Sequence, residues 1–139
     1  DDVKGARKTF DSIFKKDPKA AEGSGRFGYL KALLANDKIE ELEPMLEKEI
    51  LSGDREGAAN AQLIRGDLSV KRNKLAAALS DYLRTATLYK KQKDLQPEAL
   101  YKTATTMDAL KDKRAKNYWK MLAEKHASTS YGQEAAGKI

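Results

Sequence analysis

Apolar residues recur along this chain at spacings of three and four, and short polar breaks separate the stretches that carry them. One such stripe consists of Leu75, Leu79, Tyr82, Leu83 and Ala86. Residues at these spacings lie on one face of an α-helix. No window combines a sustained alternation of apolar and polar residues with β-branched side chains, as a strand would require. The pattern therefore predicts an all-α chain of amphipathic helices.

The polar breaks divide the chain into about seven or eight predicted helices, which we expect to stack as antiparallel hairpins. Pro18 ends the first helix, because the residue before a proline is disfavoured in the α region. Pro44 falls inside the third, where it either kinks the helix or lies near the first turn of a restarted one. The predicted helices span residues 2–16, 25–35, 38–51, 56–71, 74–92, 97–110, 113–126 and 131–138.

The residue types that most catalytic and metal sites need are scarce. The chain has no cysteine and one histidine, which excludes cysteine nucleophiles, thiolate zinc sites and His-His metal sites. That histidine, His126, ends an apolar stripe, which favours a packed or half-exposed residue at a helix end. Carboxylates cluster over residues 40–49 but alternate with apolar residues, as on the wet face of a helix, and no phosphate-loop motif occurs. We therefore predict no catalytic, cofactor-binding or metal-ligating residue, no cofactor and no enzymatic activity.

The length of 139 residues predicts a single domain over residues 1–139. No run of 18 apolar residues exists, so no transmembrane segment is predicted in this chain, and no signal peptide is visible. The chain begins at Asp1 without a methionine. We therefore expect a fragment or processed form of a longer protein, whose upstream part could carry a membrane anchor.

The net charge of +6 is unevenly distributed. Residues 1–69 carry 12 Lys and Arg against 14 Asp and Glu, whereas residues 70–139 carry 15 against 7. Such asymmetry is typical of a polyanion-binding end, but a lysine-rich helix surface in water gives the same pattern. Arginines are few and no exposed aromatic pattern accompanies them, so nucleic acid is disfavoured as a partner. The alternative hypothesis is binding of a polyanion, either nucleic acid or an acidic membrane surface, through a basic patch of Lys111, Lys113, Arg114, Lys116 and Lys120.

Small residues also recur at a long interval. Gly28, Gly66 and Ala104 are separated by 38 residues in both steps, and each lies in a predicted helix that is followed by another. A glycine inside a helix costs about 1 kcal/mol relative to alanine, so close helix packing is the simplest reason for it. Coincidence among nine glycines is the alternative interpretation.

The second helix of three predicted pairs places an aromatic residue four positions after an alanine. This arrangement, with Pro18 after the first of them, resembles the tetratricopeptide repeat, in which Ala-x-x-x-Phe and a later proline mark the second helix. The chain departs from the family because no first helix carries the full Trp-Leu-Gly-Tyr set, and because the pair that contains Pro44 lacks the alanine and aromatic residue. The matching pairs are Ala6 with Phe10, Ala78 with Tyr82, and Ala115 with Trp119.

The resemblance implies a right-handed solenoid that acts as a protein interaction scaffold, with Phe10 and Trp119 buried between hairpins. The segment after Leu122 is similar to repeats of bacterial cell-envelope proteins in Tyr131, Ala135 and Ala136. A periplasmic or cell-envelope location is therefore expected, and the cytoplasm is the alternative.

The resemblance also implies where a partner binds. With Gly66 and Ala104 as the small residues of two first helices, the family pattern places eight side chains on the concave groove. We expect them to hold a peptide or protein segment of some basic character, because three of them are acidic. The alternative is a wall that is only solvated, or one that another helix of the same protein covers. The predicted groove residues are Asn60, Leu63, Asp67 and Lys71 from one helix, and Glu98, Tyr101, Thr105 and Asp108 from the next.

Overall fold

The computed structural model describes residues 27–139. Within this range the chain forms seven α-helices and no strand, which confirms the predicted all-α class. The predicted helix over residues 2–16 and the predicted burial of Phe10 lie outside the described residues. The helices are α1 (Gly28–Ala35), α2 (Ile39–Ser52), α3 (Arg55–Lys71), α4 (Leu75–Leu88), α5 (Gln96–Ala109), α6 (Ala115–Lys125) and α7 (Ser130–Ala136).

Two details of the helices were open or differ from the prediction: the course of α2 at Pro44 and the end of α4. Pro44 is exposed and lies inside α2, which continues through the proline as one helix. The helix predicted over residues 74–92 corresponds to α4, which ends at Leu88. Its last carbonyls have no further helical turn to pair with. The side-chain amide of Gln96 replaces the missing backbone donors at this end. It donates to the carbonyls of Thr85 and Tyr89 at 3.3 and 3.1 Å.

Between residues 28 and 136, consecutive helices pack against each other, as short connections favour. α1 also contacts α3, and α5 also contacts α7. One apolar cluster joins α1 and α2 to α3, where it includes Ile64 and Leu68. A second cluster extends from α3 to α7 and includes Leu63 and Val70 of α3. α3 is therefore the helix on which the two clusters meet.

α1, α3 and α5 end in the same way. The residues that close them, Asp37, Asn73 and Lys111, have positive φ angles of 62°, 61° and 59°. In all three cases the backbone N–H of the next residue donates to the carbonyl five positions earlier at 2.8 Å. This is the Schellman pattern of helix termination. The ends are 36 and then 38 residues apart along the chain, which marks a repeating pair of helices.

These helix ends revise the register of the small residues. Gly66 and Ala104 each precede the left-handed residue of their own helix by seven positions, so they are equivalent. Gly28 precedes Asp37 by nine positions, and Leu30 occupies the equivalent place instead. The expected match of Gly28 to the other two is therefore wrong by two residues, because the first repeat is shorter than the second.

In the left-handed region the Cβ atom of a lysine comes too close to the following carbonyl oxygen. This conformation costs about 1–2 kcal/mol. We expect Lys111→Gly to raise the free energy of unfolding by about 1 kcal/mol, because glycine adopts this conformation freely. Urea titration followed by circular dichroism measures the change. Asn73→Gly is the matched control and should gain less, since asparagine tolerates the left-handed region. A larger gain at Asn73 than at Lys111 would contradict this account.

Gly66 allows α3 and α4 to approach closely. A Cβ atom at this position would lie 2.5 Å from Cε1 of the Tyr82 ring. Tyr82 is fully buried and its hydroxyl donates to Asp67, so the ring has no room to move aside. The predicted packing role of this glycine follows directly from that contact.

We therefore expect Gly66→Ala to lower the free energy of unfolding by about 1–3 kcal/mol, although alanine is the better helix former. Gly137→Ala is the control, because the nearest atom to its Cβ would be the Glu134 carbonyl oxygen at 3.4 Å, an ordinary contact. Equal thermal midpoints for the two variants would show that Gly66 has no packing role.

Candidate functional site

The residues predicted to line a groove do not form an open wall. Five of the eight are buried, and they include Asp67 at 4% exposure and Glu98 at 8%. Lys71 and Thr105 are partly buried, and only Asp108 among the eight is exposed. The other buried members of the set are Asn60, Leu63 and Tyr101.

Asp67 and Glu98 belong instead to a buried ion cluster, which we define as Asp67, Tyr82, Glu98 and Lys102. The Lys102 Nζ lies 2.9 Å from Asp67 Oδ2 and 2.6 Å from Glu98 Oε2, and its side chain is 2% exposed. The Tyr82 hydroxyl donates to the second oxygen of Asp67. The cluster thus ties α3 to both α4 and α5. The sequence interpretation missed Lys102, for which the spacing of four residues from Glu98 was the available signal.

Burial and charge act on the cluster in opposite directions. Burial raises the pKa of Asp67 above its usual value, although Lys102 opposes the shift. Burial alone would also raise the pKa of Glu98, but the ammonium groups of Lys102 and Lys31 and the hydrogen bond from Lys102 hold it below its usual value. The pKa of Lys102 is raised, since attraction to the two carboxylates outweighs the effect of burial. The lysine therefore stays charged inside the protein.

Carboxylates with separated pKa values can serve acid–base catalysis when a substrate reaches them. Neither Asp67 nor Glu98 is accessible in this conformation, because both are less than 9% exposed. Their contacts to Lys102 and Tyr82 satisfy them within the fold. This geometry is typical of a structural ion pair network that holds neighbouring helices together.

Tyr101 and Trp119 form a second buried group between α5 and α6. Trp119 is 3% exposed, which confirms its predicted burial. Its ring meets the Tyr101 ring edge-on at a centroid distance of 5.6 Å, and the Tyr131 ring of α7 lies 5.0 Å from the Tyr101 ring. The indole N–H donates to Asp108 at 2.8 Å. Two predicted groove residues, Tyr101 and Asp108, are thus partners of the tryptophan.

The basic patch is exposed at all five of its positions, Lys111, Lys113, Arg114, Lys116 and Lys120. Arg114 is not a free cation, because its guanidinium group lies 2.7 Å from the Asp112 carboxylate. The pKa of that carboxyl is lowered by hydrogen bonds from the Arg114 side chain and backbone. Four lysines and one neutralised arginine therefore make up the surface.

A cleft of about 700 Å³ that is partly open to solvent lies between the end of α4, the start of α5 and the end of α6. We call it the α4–α6 cleft. Its apolar part consists of Leu100, Tyr118 and Met121, and three exposed lysines stand around it. These lysines are Lys90, Lys93 and Lys125. Sequence reasoning missed the cleft, because its residues come from three helices and share no motif.

His126 also lines the α4–α6 cleft. It caps the C-terminal end of α6 and is partly buried, as predicted. Burial and the positive charge of neighbouring Lys125 lower its pKa. Its imidazole is therefore neutral at neutral pH, and the positive charge of the cleft comes from the lysines.

The described residues show no cluster of three or more side chains suited to hold a metal ion. No helix between residues 27 and 139 has the length and apolar character to cross a bilayer. Comparison with protein-family models, with curated proteins and with solved structures finds no match for this chain. The class that the fold defines is an all-α protein, and the resemblance to tetratricopeptide repeats stays a prediction from sequence.

Proposed function

We propose that the chain is a non-enzymatic scaffold that binds a segment of a partner protein. In this proposal its helices form stacked antiparallel hairpins of a right-handed, tetratricopeptide-like solenoid. Stacked repeats of this kind present long surfaces whose side chains vary while the framework stays constant. Such surfaces suit binding better than chemistry.

The observation that carries the proposal is the repeating helix pair. α1, α3 and α5 share one form of termination at Asp37, Asn73 and Lys111, and the next helix follows after three, three and five residues respectively. The salt bridge from Asp67 to Lys102 links α3 to α5, the corresponding helices of consecutive pairs. A repeating framework with an open cleft on its surface favours a binding function.

The second candidate is a polyanion-binding protein. The exposed basic patch and the excess of eight positive charges over residues 70–139 favour it. Against it, the one arginine of the patch is paired with Asp112, so a phosphate has to compete with that carboxylate for the bidentate hydrogen bonds of the guanidinium group. We rank this candidate below the protein scaffold.

Salt dependence separates the two candidates. Affinity for an oligonucleotide of 30 thymidines and for vesicles with anionic lipid should be weak and should fall steeply between 50 and 200 mM salt. A partner protein, captured by cross-linking in the native cell and then purified, should lose much less affinity over that range. Tight oligonucleotide binding that falls by about 1,000-fold or more would favour the polyanion candidate instead.

We also propose a bacterial cell-envelope or periplasmic location, to which the resemblance of the C-terminal segment and the absence of cysteine point. The cytoplasm is the alternative. The full-length gene product decides between them, since an export signal or an anchor upstream of Asp1 would support the first.

A further inference from the structure

The α4–α6 cleft combines an apolar floor with a basic rim. Leu100, at 4% exposure, is the least exposed residue that lines it, and Tyr118 and Met121 are partly buried. A volume of about 700 Å³ lies within the range of roughly 300–1,000 Å³ that ligand sites occupy. Methionine adapts its shape to different apolar groups, which makes it common on binding surfaces.

The position of the cleft is fixed by α5. Residues two apart on a helix point in nearly opposite directions, since each residue turns the helix by about 100°. Gln96 and Leu100 face the cleft, whereas Glu98 and Lys102 belong to the buried ion cluster. The cleft therefore lies on the side of α5 away from that cluster. The hydrogen bonds of Gln96 to Thr85 and Tyr89 hold the α4 wall against α5.

The charge of the rim selects the ligand. Lys90, Lys93 and Lys125 are exposed, and none of the described side chains that line the cleft carries a carboxylate. Positive groups that surround an apolar surface attract anionic segments and direct their approach. A basic or neutral segment would gain nothing from these lysines.

We propose that the α4–α6 cleft binds an acidic, amphipathic segment of a partner protein. One leucine or phenylalanine of that segment lies against Leu100, Tyr118 and Met121, and flanking carboxylates pair with the lysines of the rim. This inference rests on the proposed scaffold function and names its site and the chemistry of its partner. It also reverses the charge of the partner expected from the predicted groove.

An open cleft with apolar walls fits an acidic peptide segment better than it fits an anionic small molecule or nucleic acid. Its walls do not enclose a ligand, whereas small-molecule sites bury about 70–90% of the ligand surface. Nucleic acid needs arginine or stacked aromatic side chains, and the described lining offers lysines and one partly buried tyrosine.

Peptide pools test the proposal on the ¹⁵N-labelled full chain by nuclear magnetic resonance. The first pool contains 12-residue peptides with a central leucine or phenylalanine flanked by glutamates. A second pool replaces the glutamates with lysines, and a third replaces the apolar residue with serine. We expect the first pool alone to shift the amide signals around Leu100, Tyr118 and Met121, with a dissociation constant below about 1 mM.

Paired charge reversals give the matched control. Lys90→Glu with Lys93→Glu should weaken binding of the first pool by about 10-fold or more, because attraction becomes repulsion at the rim. Lys116→Glu with Lys120→Glu makes the same change of net charge in the basic patch and should change the affinity by less than about threefold. All four lysines are exposed, so both variants should keep the parent circular dichroism spectrum.

Three results would each overturn the inference. The two double variants could lose the same affinity, the lysine or serine pool could bind as well as the first pool, or no amide signal of the cleft could shift. The same cleft shifts caused by an oligonucleotide would also overturn it. Sedimentation of the unliganded chain provides a further check, since self-association abolished by Lys90→Glu with Lys93→Glu would place a second copy in the cleft. The scaffold function would survive all of these results if a native partner still binds elsewhere on the chain.

Discussion

Replacing Lys102 with alanine is expected to lower the free energy of unfolding by about 3–5 kcal/mol. The substitution leaves the carboxylates of Asp67 and Glu98 buried without the ammonium group that lies within 2.9 Å of both. A buried charge without a counter-charge is more costly than the pair is stabilising. Chemical unfolding at neutral pH measures the loss.

Lys120→Ala is the control for the Lys102 prediction, because the Lys120 side chain is exposed on α6. It should change stability by no more than about 0.5 kcal/mol. A double-mutant cycle with Asp67→Asn and Lys102→Met then isolates the coupling between the two residues. A Lys102→Ala variant as stable as Lys120→Ala would show that the buried ion cluster does not exist as described.

Trp119→Ala should also cost about 3–5 kcal/mol, the usual effect of truncating a buried aromatic side chain. The indole ring packs edge-on against Tyr101 and its N–H bonds to Asp108, so both the packing and a hydrogen bond are lost. Thermal unfolding followed by far-ultraviolet circular dichroism reports the change.

Trp119→Phe separates these two contributions. It keeps an aromatic ring against Tyr101 but removes the donor to Asp108, so the cost should fall to about 1–2 kcal/mol. Equal losses for alanine and phenylalanine would contradict a packing role for the ring. A melting temperature for Trp119→Ala within a degree of the parent would show that the helix register is wrong.

The helices were predictable because each buries a stripe that local sequence encodes. The helix ends were less so. Asn73 is a residue type that tolerates positive φ, but Lys111 gives no such signal. Carbonyl groups at the early end of α4 accept hydrogen bonds from the side chain of Gln96, which lies eight residues beyond the helix. A contact of that kind is decided by tertiary structure, and no local pattern shows it.

The predicted groove illustrates the same limit for the site. The spacing from Gly66 and Ala104 predicted polar residues on one wall of a groove. In the structure Asp67 instead bonds to Lys102 and Tyr82. These contacts form only when α3, α4 and α5 pack together. Polar character predicts exposure only when no buried partner of opposite charge is available. The α4–α6 cleft could not be predicted from the sequence for a related reason, because residues from three helices line it.

Site-specific photo-cross-linking in the native cell tests the scaffold function most directly. A photoreactive amino acid is placed at Thr87 in the α4–α6 cleft, at Lys116 in the basic patch, and at Ser52, which is exposed at the end of α2. The account predicts a discrete protein adduct at Thr87 and none at Ser52, with mass spectrometry identifying an acidic, apolar segment at the cross-link. Adducts to nucleic acid at Lys116, or the absence of any discrete protein adduct at all three positions, would contradict it.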